Sequence, residues 1–240
     1  MFKKEGKFMI RVIKNGTMGR SDLGWLRSIF HFSFAEYQNA KNMRFGVLRV
    51  LNDDLIDSGQ GFDMHHHRDM EIITYMVAGE LTHEDSMGHK STIKRGQIQY
   101  MSAGTGIDHS ENNFGEKTVR SLQIWILQDK KGIEPNYGDS KFDWDLRKNK
   151  WFHMVSGKNG NAPVKINQDA NIFSLELDAN GQIEFDVREG RQAYLVQIEG
   201  NSNINGIALS EKDAMEIVEE KITIKANDKS HFILLEMKKD

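Results

Sequence analysis

Three consecutive histidines, His65, His66 and His67, lie in the stretch FDMHHHRDMEIIT and are well suited to metal chemistry. Side chains of an extended strand alternate between two faces, so His65 and His67 point together while His66 points away. One H-x-H pair alone is weak evidence, because nine histidines in 240 residues produce such a pair by chance roughly one time in three. A metal site therefore needs a second source of ligands.

GTGIDHSENN, residues 104–113, is the second source, because His109 and Glu111 are also two residues apart and share a strand face. Three imidazoles and a carboxylate can bind a divalent first-row metal and leave positions open for water, substrate or oxygen. This donor set predicts Lewis-acid or oxygen chemistry. Glu71, four residues after His67, fits strand alternation equally well, so alternation leaves two candidates for the carboxylate.

The elements that position these residues are predicted to be β-strands. Alternating or β-branched runs occur at residues 45–52, 71–84, 96–102, 119–127, 171–177, 181–187, 191–206, 221–226 and 231–237. No run predicts a helix longer than about ten residues. The pattern indicates an all-β sandwich or barrel.

A faint internal repeat predicts two domains. YMVAGELTHEDSMGHK in the first half and YLVQIEGNSNINGIAL in the second both run from strand through a glycine-containing turn to a short strand. The polar stretch 128–150 breaks the strand rhythm and is the candidate linker. We expect an N-terminal metal-binding domain over residues 1–135 and a C-terminal domain without metal over residues 136–240, where His153 and His231 form no H-x-H pair.

Composition excludes several classes of function. Lys and Arg number 32 against 35 Asp and Glu, and the net charge of -3 gives no general attraction for nucleic acid or anionic membrane. The chain has no cysteine, which excludes disulfides, thiolate nucleophiles and Cys-ligated metals. No segment approaches the apolar length of a membrane span. We expect a cytoplasmic protein with neither a nucleic-acid nor a membrane partner.

Two segments carry a family resemblance. Residues 59–79, GQGFDMHHHRDMEIITYMVAG, resemble the first cupin motif, and residues 96–113, GQIQYMSAGTGIDHSENN, resemble the second. GQGFDMHHHRDMEIITY, HEDSMG and QYMSAGTGIDHSE are similar to the pirin branch of the cupins, especially to its bacterial quercetinase-like members. The similarity covers residues 9–137, whereas the second half agrees in length and strand pattern only.

The resemblance implies a bicupin fold, with two antiparallel, jelly-roll-like β-barrel domains. It also implies one divalent metal, usually iron(II), in the N-terminal domain, and on the matching positions its ligands are His65, His67, His109 and Glu111. The pirin pattern thus favours Glu111 over Glu71. Manganese, nickel, copper and zinc also accept nitrogen and oxygen ligands.

The implied activity is a dioxygenase that opens the ring of a quercetin-like flavonol and releases carbon monoxide. Its partners would be a small aromatic chelating substrate and O2, with Glu111 as the catalytic residue, either ligating the metal or taking the substrate's hydroxyl proton. The alternative is a regulatory pirin that binds metal without catalysis and acts through protein partners.

The remaining candidates near the motifs have simpler interpretations. His66 occupies a position where pirins usually have proline, and it is expected at the rim or surface. His83 and His89 flank EDSMG, a predicted hairpin tip, and both are expected to be solvated loop residues. Three side chains adjacent to the ligands are candidates for the pocket wall, although alternation is equally consistent with a place in the core: Phe62, Met64 and Met101.

Overall fold

The computed structural model describes residues 9–240, whose regular secondary structure is almost wholly β-strand. The first twelve strands are β1 Met9–Ile13, β2 Gly19–Asp22, β3 Leu26–Phe30, β4 Leu48–Ile56, β5 Gly61–His67, β6 Met70–Ala78, β7 Glu80–Asp85, β8 Lys90–Lys94, β9 Ile98–Ser102, β10 Ile107–Asn112, β11 Val119–Leu127 and β12 Asn136–Ser140.

The remaining strands are β13 Phe152–Gly157, β14 Val164–Ile166, β15 Ala170–Leu177, β16 Gln182–Asp186, β17 Arg191–Glu199, β18 Ser202–Ile204, β19 Ile207–Leu209, β20 Ala214–Val218, β21 Lys221–Ala226 and β22 Ser230–Lys238. Within residues 9–240 the only helices are two short 3-10 helices, Asn15–Thr17 and Trp144–Arg147. No helix in this described range has the length and apolar character needed to cross a membrane.

The chain forms two compact units, one of residues 18–143 and one of described residues 9–17 together with 144–240. The unit of residues 18–143 has a seven-stranded sheet in the order β12-β9-β6-β11-β4-β3-β2 and a four-stranded sheet in the order β5-β10-β7-β8. Met76 of the large sheet packs with Leu81 and Ile93 of the small sheet in a buried cluster. The two sheets thus enclose an apolar core between them.

The second unit repeats this plan. Its large sheet has the order β1-β20-β17-β22-β15-β13-β14 and its small sheet the order β16-β21-β18-β19. Strands β16 and β21 therefore correspond to β5 and β10. The all-β bicupin prediction is confirmed, with two packed jelly-roll sheets in each unit in place of a closed barrel.

The space between the sheets of the second unit is filled by apolar side chains. Ile183 pairs with Ile224 and Phe185 pairs with Ile222 across β16 and β21. All four belong to, or pack against, a large buried cluster. The strands that carry histidines in one unit thus carry branched and aromatic residues in the other.

The sequence predicts a domain boundary at residue 135, but the two units do not divide the chain there. Strand β1 pairs with β20, where Met9 faces Val218, and so it belongs to the unit formed by the second half. Strand β12, inside the candidate linker, pairs with β9, where Tyr137 faces Met101. These hydrogen-bonded partners are remote in sequence, and local hydrophobic rhythm carries no information about them.

Candidate metal centre

The register of two strands brings three of the predicted ligands together. In the antiparallel pair β5 and β10, His109 lies opposite His65, and Ile107 lies opposite His67. The ring centroids of His65, His67 and His109 are separated by 4.5 to 4.9 Å. One nitrogen from each ring lies within 4.8 Å of the others. Strand alternation predicted that His65 and His67 share a face, and the strand register brings His109 beside them.

A β-bulge in β5 determines which other side chains of this strand lie on the same face as His65 and His67. His109 pairs with His65, but Glu111 pairs with Phe62, so two residues of β5 oppose one residue of β10. Asp63 and Met64 are consequently both exposed, and Phe62 returns to the inner face. The pocket-wall prediction is wrong for Met64, whose exposed fraction is 54%.

Two of the histidines are oriented by hydrogen bonds through Nδ1. His65 Nδ1 lies 2.7 Å from the backbone oxygen of Asp63, which can only accept, so this nitrogen carries the hydrogen and Nε2 keeps its lone pair. His109 Nδ1 lies 3.3 Å from Nδ1 of His83, whose Nε2 lies 3.1 Å from Oδ2 of Asp85. Asp85 can thus accept from His83 and His83 from His109, which again leaves the lone pair of His109 Nε2 available to a metal.

His83 is not the solvated loop residue that the sequence predicted. It lies within β7, its exposed fraction is 0%, and its ring stacks on Tyr137 at a centroid distance of 4.1 Å. His89 is exposed beside the turn, as expected, and its Nδ1 contacts the same Asp85 carboxylate at 3.1 Å. His83 was missed because its burial depends on pairing with Glu111 of β10. The alternating pair His83 and Asp85 was the available local signal.

Glu111 is buried on the side of β10 that faces the large sheet. Its Oε1 accepts hydrogen bonds from Thr74 Oγ1 at 2.7 Å and Gln99 Nε2 at 2.5 Å, and its Oε2 accepts one from Gln123 Nε2 at 2.7 Å. The cluster of potential ligand atoms contains the three histidines without Glu111. Glu111 nevertheless lines the same cavity as His65 and His67. The carboxylate is therefore beside the histidines, held by three donors.

Glu71 occupies the opposite face of its strand from the residues that contact Glu111. Strand β6 is regular between Glu71 and Thr74, so two residues separated by three positions point to opposite sides. The sequence had placed Glu71 on the face of His67 by continuing the alternation of β5. The chain instead turns between the two strands, where Asp69 has a φ of 51°, and Met70 begins a strand of the other sheet.

Burial controls the charge of the imidazoles. The pKa of His67 is lowered to about 3, chiefly by burial and also by His109 and His65, while Glu111 acts in the opposite direction. The pKa of His109 is lowered to about 3 by burial and by His65 and His83, against the effect of Asp85. Both rings are therefore neutral at pH 7, which is the form that binds a metal.

An apolar cavity of about 250 Å³ adjoins the histidines. Phe30, Phe34 and Trp125 are among its walls, and the Trp125 ring meets that of His67 edge-on at 4.9 Å. Phe62 also lines the cavity, as predicted, whereas Met101 lies in a buried cluster of the core. Such a cavity can receive a flat aromatic molecule beside a metal.

The donor set fits a divalent cation. His109 Nε2 is buried and has no hydrogen-bond partner among residues 9–240, although nearly all buried polar atoms in proteins have one. Neutral imidazoles held through their second nitrogen are typical of metal ligands. His66 is exposed and pairs with Asp108 at 3.1 Å, which agrees with its predicted place at the rim.

Comparison with known proteins gives a consistent result over both units. The Pirin family model matches residues 12–126, and a model described as the quercetinase C-terminal cupin domain matches residues 147–237. A quercetin 2,3-dioxygenase from Escherichia coli is 37% identical over 231 residues, which cover 95% of this chain and 99% of that protein. The chain belongs to the pirin family.

Other pirins agree in sequence and in structure. A pirin-like protein from Caulobacter vibrioides is 38% identical over 221 residues, covering 91% of this chain and 95% of that protein. The crystal structure of YhhW from Escherichia coli has a TM-score of 0.91 at 36% identity, over 97% of this chain and 99% of YhhW. YhhW in complex with nickel(II) has a TM-score of 0.90 at 35% identity, over 97% of this chain and 100% of that one.

Proposed function

We propose that this pirin is a metal-dependent flavonol 2,3-dioxygenase, in which His65, His67 and His109 hold one divalent ion and Glu111 is the catalytic residue. The observation that carries the proposal is the convergence of three imidazoles, two of them oriented through Nδ1, beside an aromatic-walled cavity, with His109 Nε2 lacking a partner in the described chain. The name of the Escherichia coli relative supports the substrate class, and the nickel(II) complex of YhhW supports a metal.

The bound ion would supply Lewis-acid and redox chemistry towards a chelating flavonol and dioxygen. Glu111 accepts the proton of the flavonol hydroxyl, since it is a cavity-lining carboxylate that lies two residues from His109 on β10. Thr74, Gln99 and Gln123 fix both of its oxygens, and Phe30 and Trp125 help to exclude water. In the overall reaction both atoms of O2 enter the ring-opened acid, and one ring carbon leaves as carbon monoxide.

Anaerobic reconstitution tests this function. The protein is loaded with iron(II), or in parallel with nickel(II) or manganese(II), mixed with quercetin and then exposed to air. We expect loss of flavonol absorbance over many turnovers, with one carbon monoxide released for each flavonol consumed. Stoichiometric metal binding without turnover of any flavonol would contradict the proposal and favour the regulatory alternative.

The ligand assignment is tested separately by metal content. His65→Ala and His109→Ala each remove a proposed ligand, whereas His66→Ala removes an exposed ring from the other face of the same strand. We expect the first two variants to lose stoichiometric metal after dialysis and His66→Ala to keep it. Full metal content in both ligand variants would show that the ion binds elsewhere.

A further inference from the structure

The cavity contains a second buried carboxylate, which the proposed reaction does not use. Asp54 of β4 lines the cavity, and its exposed fraction is 5%. Ser28 on the neighbouring strand forms a hydrogen bond with this carboxyl group. Its Oδ1 is buried and has no partner among residues 9–240. A buried acceptor left open in this way is costly unless a ligand or water completes it.

Asn52 adds a second open acceptor beside it. Asn52 also lines the cavity, its exposed fraction is 3%, and its Oδ1 likewise has no partner within the described residues. Residues two apart on a strand share a face, so Asn52 and Asp54 present their side chains to the same space. The two oxygens together form a polar patch in an otherwise aromatic wall.

The position of this patch relative to the candidate metal centre follows from the sheet register. Asn52 lies directly opposite Gln123, which donates to Glu111. Asp54 is two residues further along β4, so its Cα is about 8 Å from that of Gln123, given the usual spacings along and between strands. The patch therefore begins beside the Gln123 that holds Glu111 and continues along β4 in the same cavity.

The chemistry of the patch selects the kind of group that it binds. Two acceptor oxygens require a hydrogen-bond donor from the ligand. Among the described residues that line the cavity there is no lysine or arginine, so nothing there would neutralise a carboxylate or phosphate. Burial raises the pKa of Asp54 to about 7, with Asp53 and Glu111 acting in the same direction and Ser28 against it. A neutral hydroxyl is the donor that suits such a site.

We propose that Asp54, with Asn52 beside it, binds a hydroxyl group of the substrate other than the one that chelates the metal. The inference rests on the proposed function and makes it narrower: the substrate is an aromatic with at least two hydroxyl-bearing regions, one at the histidines and one at Asp54. Asp54 acts as a specificity-determining residue, because an aromatic without this second hydroxyl leaves its buried oxygen open.

The affinities of wild type and of Asp54 variants for two flavonols test this role of Asp54. Quercetin carries hydroxyls on both outer ring systems, whereas 3-hydroxyflavone has only the chelating hydroxyl and ketone. Dissociation constants are measured under argon with the nickel(II)-loaded protein, from the shift of flavonol absorbance. We expect wild type to bind quercetin about tenfold more tightly than 3-hydroxyflavone, the usual effect of one buried hydrogen bond.

Variants of Asp54 show whether the preference for quercetin depends on this residue. In Asp54→Leu we expect the preference for quercetin to fall to about twofold or less, with the affinity for 3-hydroxyflavone unchanged. Asp54→Ala is the second variant, because its smaller side chain cannot overpack the site. Glu36→Gln is the matched control, since it removes an exposed carboxylate from the same cavity, and it should keep the preference.

The outcomes are distinguishable. Equal binding of the two flavonols by wild type, or a preference that survives in Asp54→Leu and Asp54→Ala, overturns the role of Asp54 and leaves the proposed function standing. If neither flavonol binds to the loaded wild-type protein, the proposed function itself fails, and the role of Asp54 fails with it.

Discussion

At the residue scale, the carboxylate that serves the candidate centre is a choice between two buried glutamates. Glu111 lines the cavity and accepts three side-chain hydrogen bonds, while Glu71 is on the other face of β6. Strand alternation alone could not separate them. The fact that supports Glu111 is the turn at Asp69, where the alternation of one strand stops and that of another begins.

Exchange of the two glutamates for glutamine tests this choice. Glu111→Gln removes the proposed proton acceptor and should lower kcat about 100-fold or more, the usual contribution of a positioned base. Glu71→Gln is the matched control, since it makes the same chemical change behind the sheet, and kcat should stay within about threefold. Steady-state rates of quercetin consumption decide the matter, and a larger loss in Glu71→Gln would reverse the assignment.

The chain from His109 through His83 to Asp85 fixes which nitrogen of His109 remains free. Asp85→Asn replaces the terminal acceptor with an amide, so His83 no longer has a fixed tautomer. We expect the affinity for metal to fall about 10- to 100-fold, as is common when a group that orients a ligand is lost. Competition with a chromophoric chelator measures this affinity.

Glu84→Gln is the control for Asp85→Asn. Glu84 is the exposed neighbour on the same strand and pairs only with Lys90 in the described ion pairs. Its loss should leave the affinity for metal unchanged. Equal affinities in wild type and Asp85→Asn would show that the relay does not orient His109.

At the element scale, the predicted strand runs include most strands of the large sheets, but they include neither β5 nor β10, and they do not identify which strands pair. The run at residues 119–127 coincides with β11, and that at residues 221–226 coincides with β21. Alternation within a strand is a local property, so it was readable. The burial of His83 depends on β7 lying beside β10, and the bulge at Asp63 and Met64 depends on the pairing of β5 with β10. Both are non-local.

The turn between β9 and β10 is also an element-scale feature, and it places His109. Gly104 has a φ of 48°, and a Cβ atom there would lie 2.1 Å from the backbone oxygen of Ile133. Gly132 has a φ of 68° but open space around it. Alanine at either position carries the conformational cost, but only at Gly104 does it also meet backbone.

We therefore expect Gly132→Ala to lower the free energy of unfolding by about 1 kcal/mol and Gly104→Ala by about 3 kcal/mol. Urea titrations of the metal-free proteins measure both values. Similar losses in the two variants would mean that the turn moves away from Ile133 without difficulty. In that case the turn is not a rigid support for β10.

At the scale of the whole molecule, stability should depend on pH through buried histidines. Burial lowers the pKa of His31 to about 4 and contributes to values of about 3 for His67 and His109. The unfolded chain therefore takes up these protons first, and the stability present above pH 6.5 is lost as the pH falls towards 3. Asp54, whose pKa is raised to about 7, has the opposite effect, because its contribution is lost as the pH rises through 7.

The loss of stability from the three histidines exceeds the gain from Asp54. The free energy of unfolding of the metal-free protein should therefore fall as the pH is lowered from 7 to 4. Urea titrations at intervals of one pH unit measure this slope. The variant His67→Phe removes one of the three groups and should show a shallower fall. A free energy that is flat or increases towards pH 4 would be contrary to this expectation.

The boundary between the two units was the large-scale feature that was hardest to predict from the sequence. The repeat of strand and glycine turn indicated two copies of one unit, and the sheet orders agree with it. The boundary was misplaced because β1 and β12 have no strong pattern of their own and are defined by their partners. The repeated strand pattern reveals two copies of one unit. It does not reveal that β1 pairs within the second unit and β12 within the first.

The apolar strands β16 and β21 of the second unit can be compared directly with β5 and β10 of the first. Where one unit has His65 opposite His109, the other has Ile183 opposite Ile224 in strands of the same order. The same architecture has thus been used once to maximise packing and once to keep reactive groups exposed to a cavity. The histidine-bearing strands thus lack apolar contacts that the corresponding strands of the second unit have, and this is a stability cost that the proposed metal centre would carry.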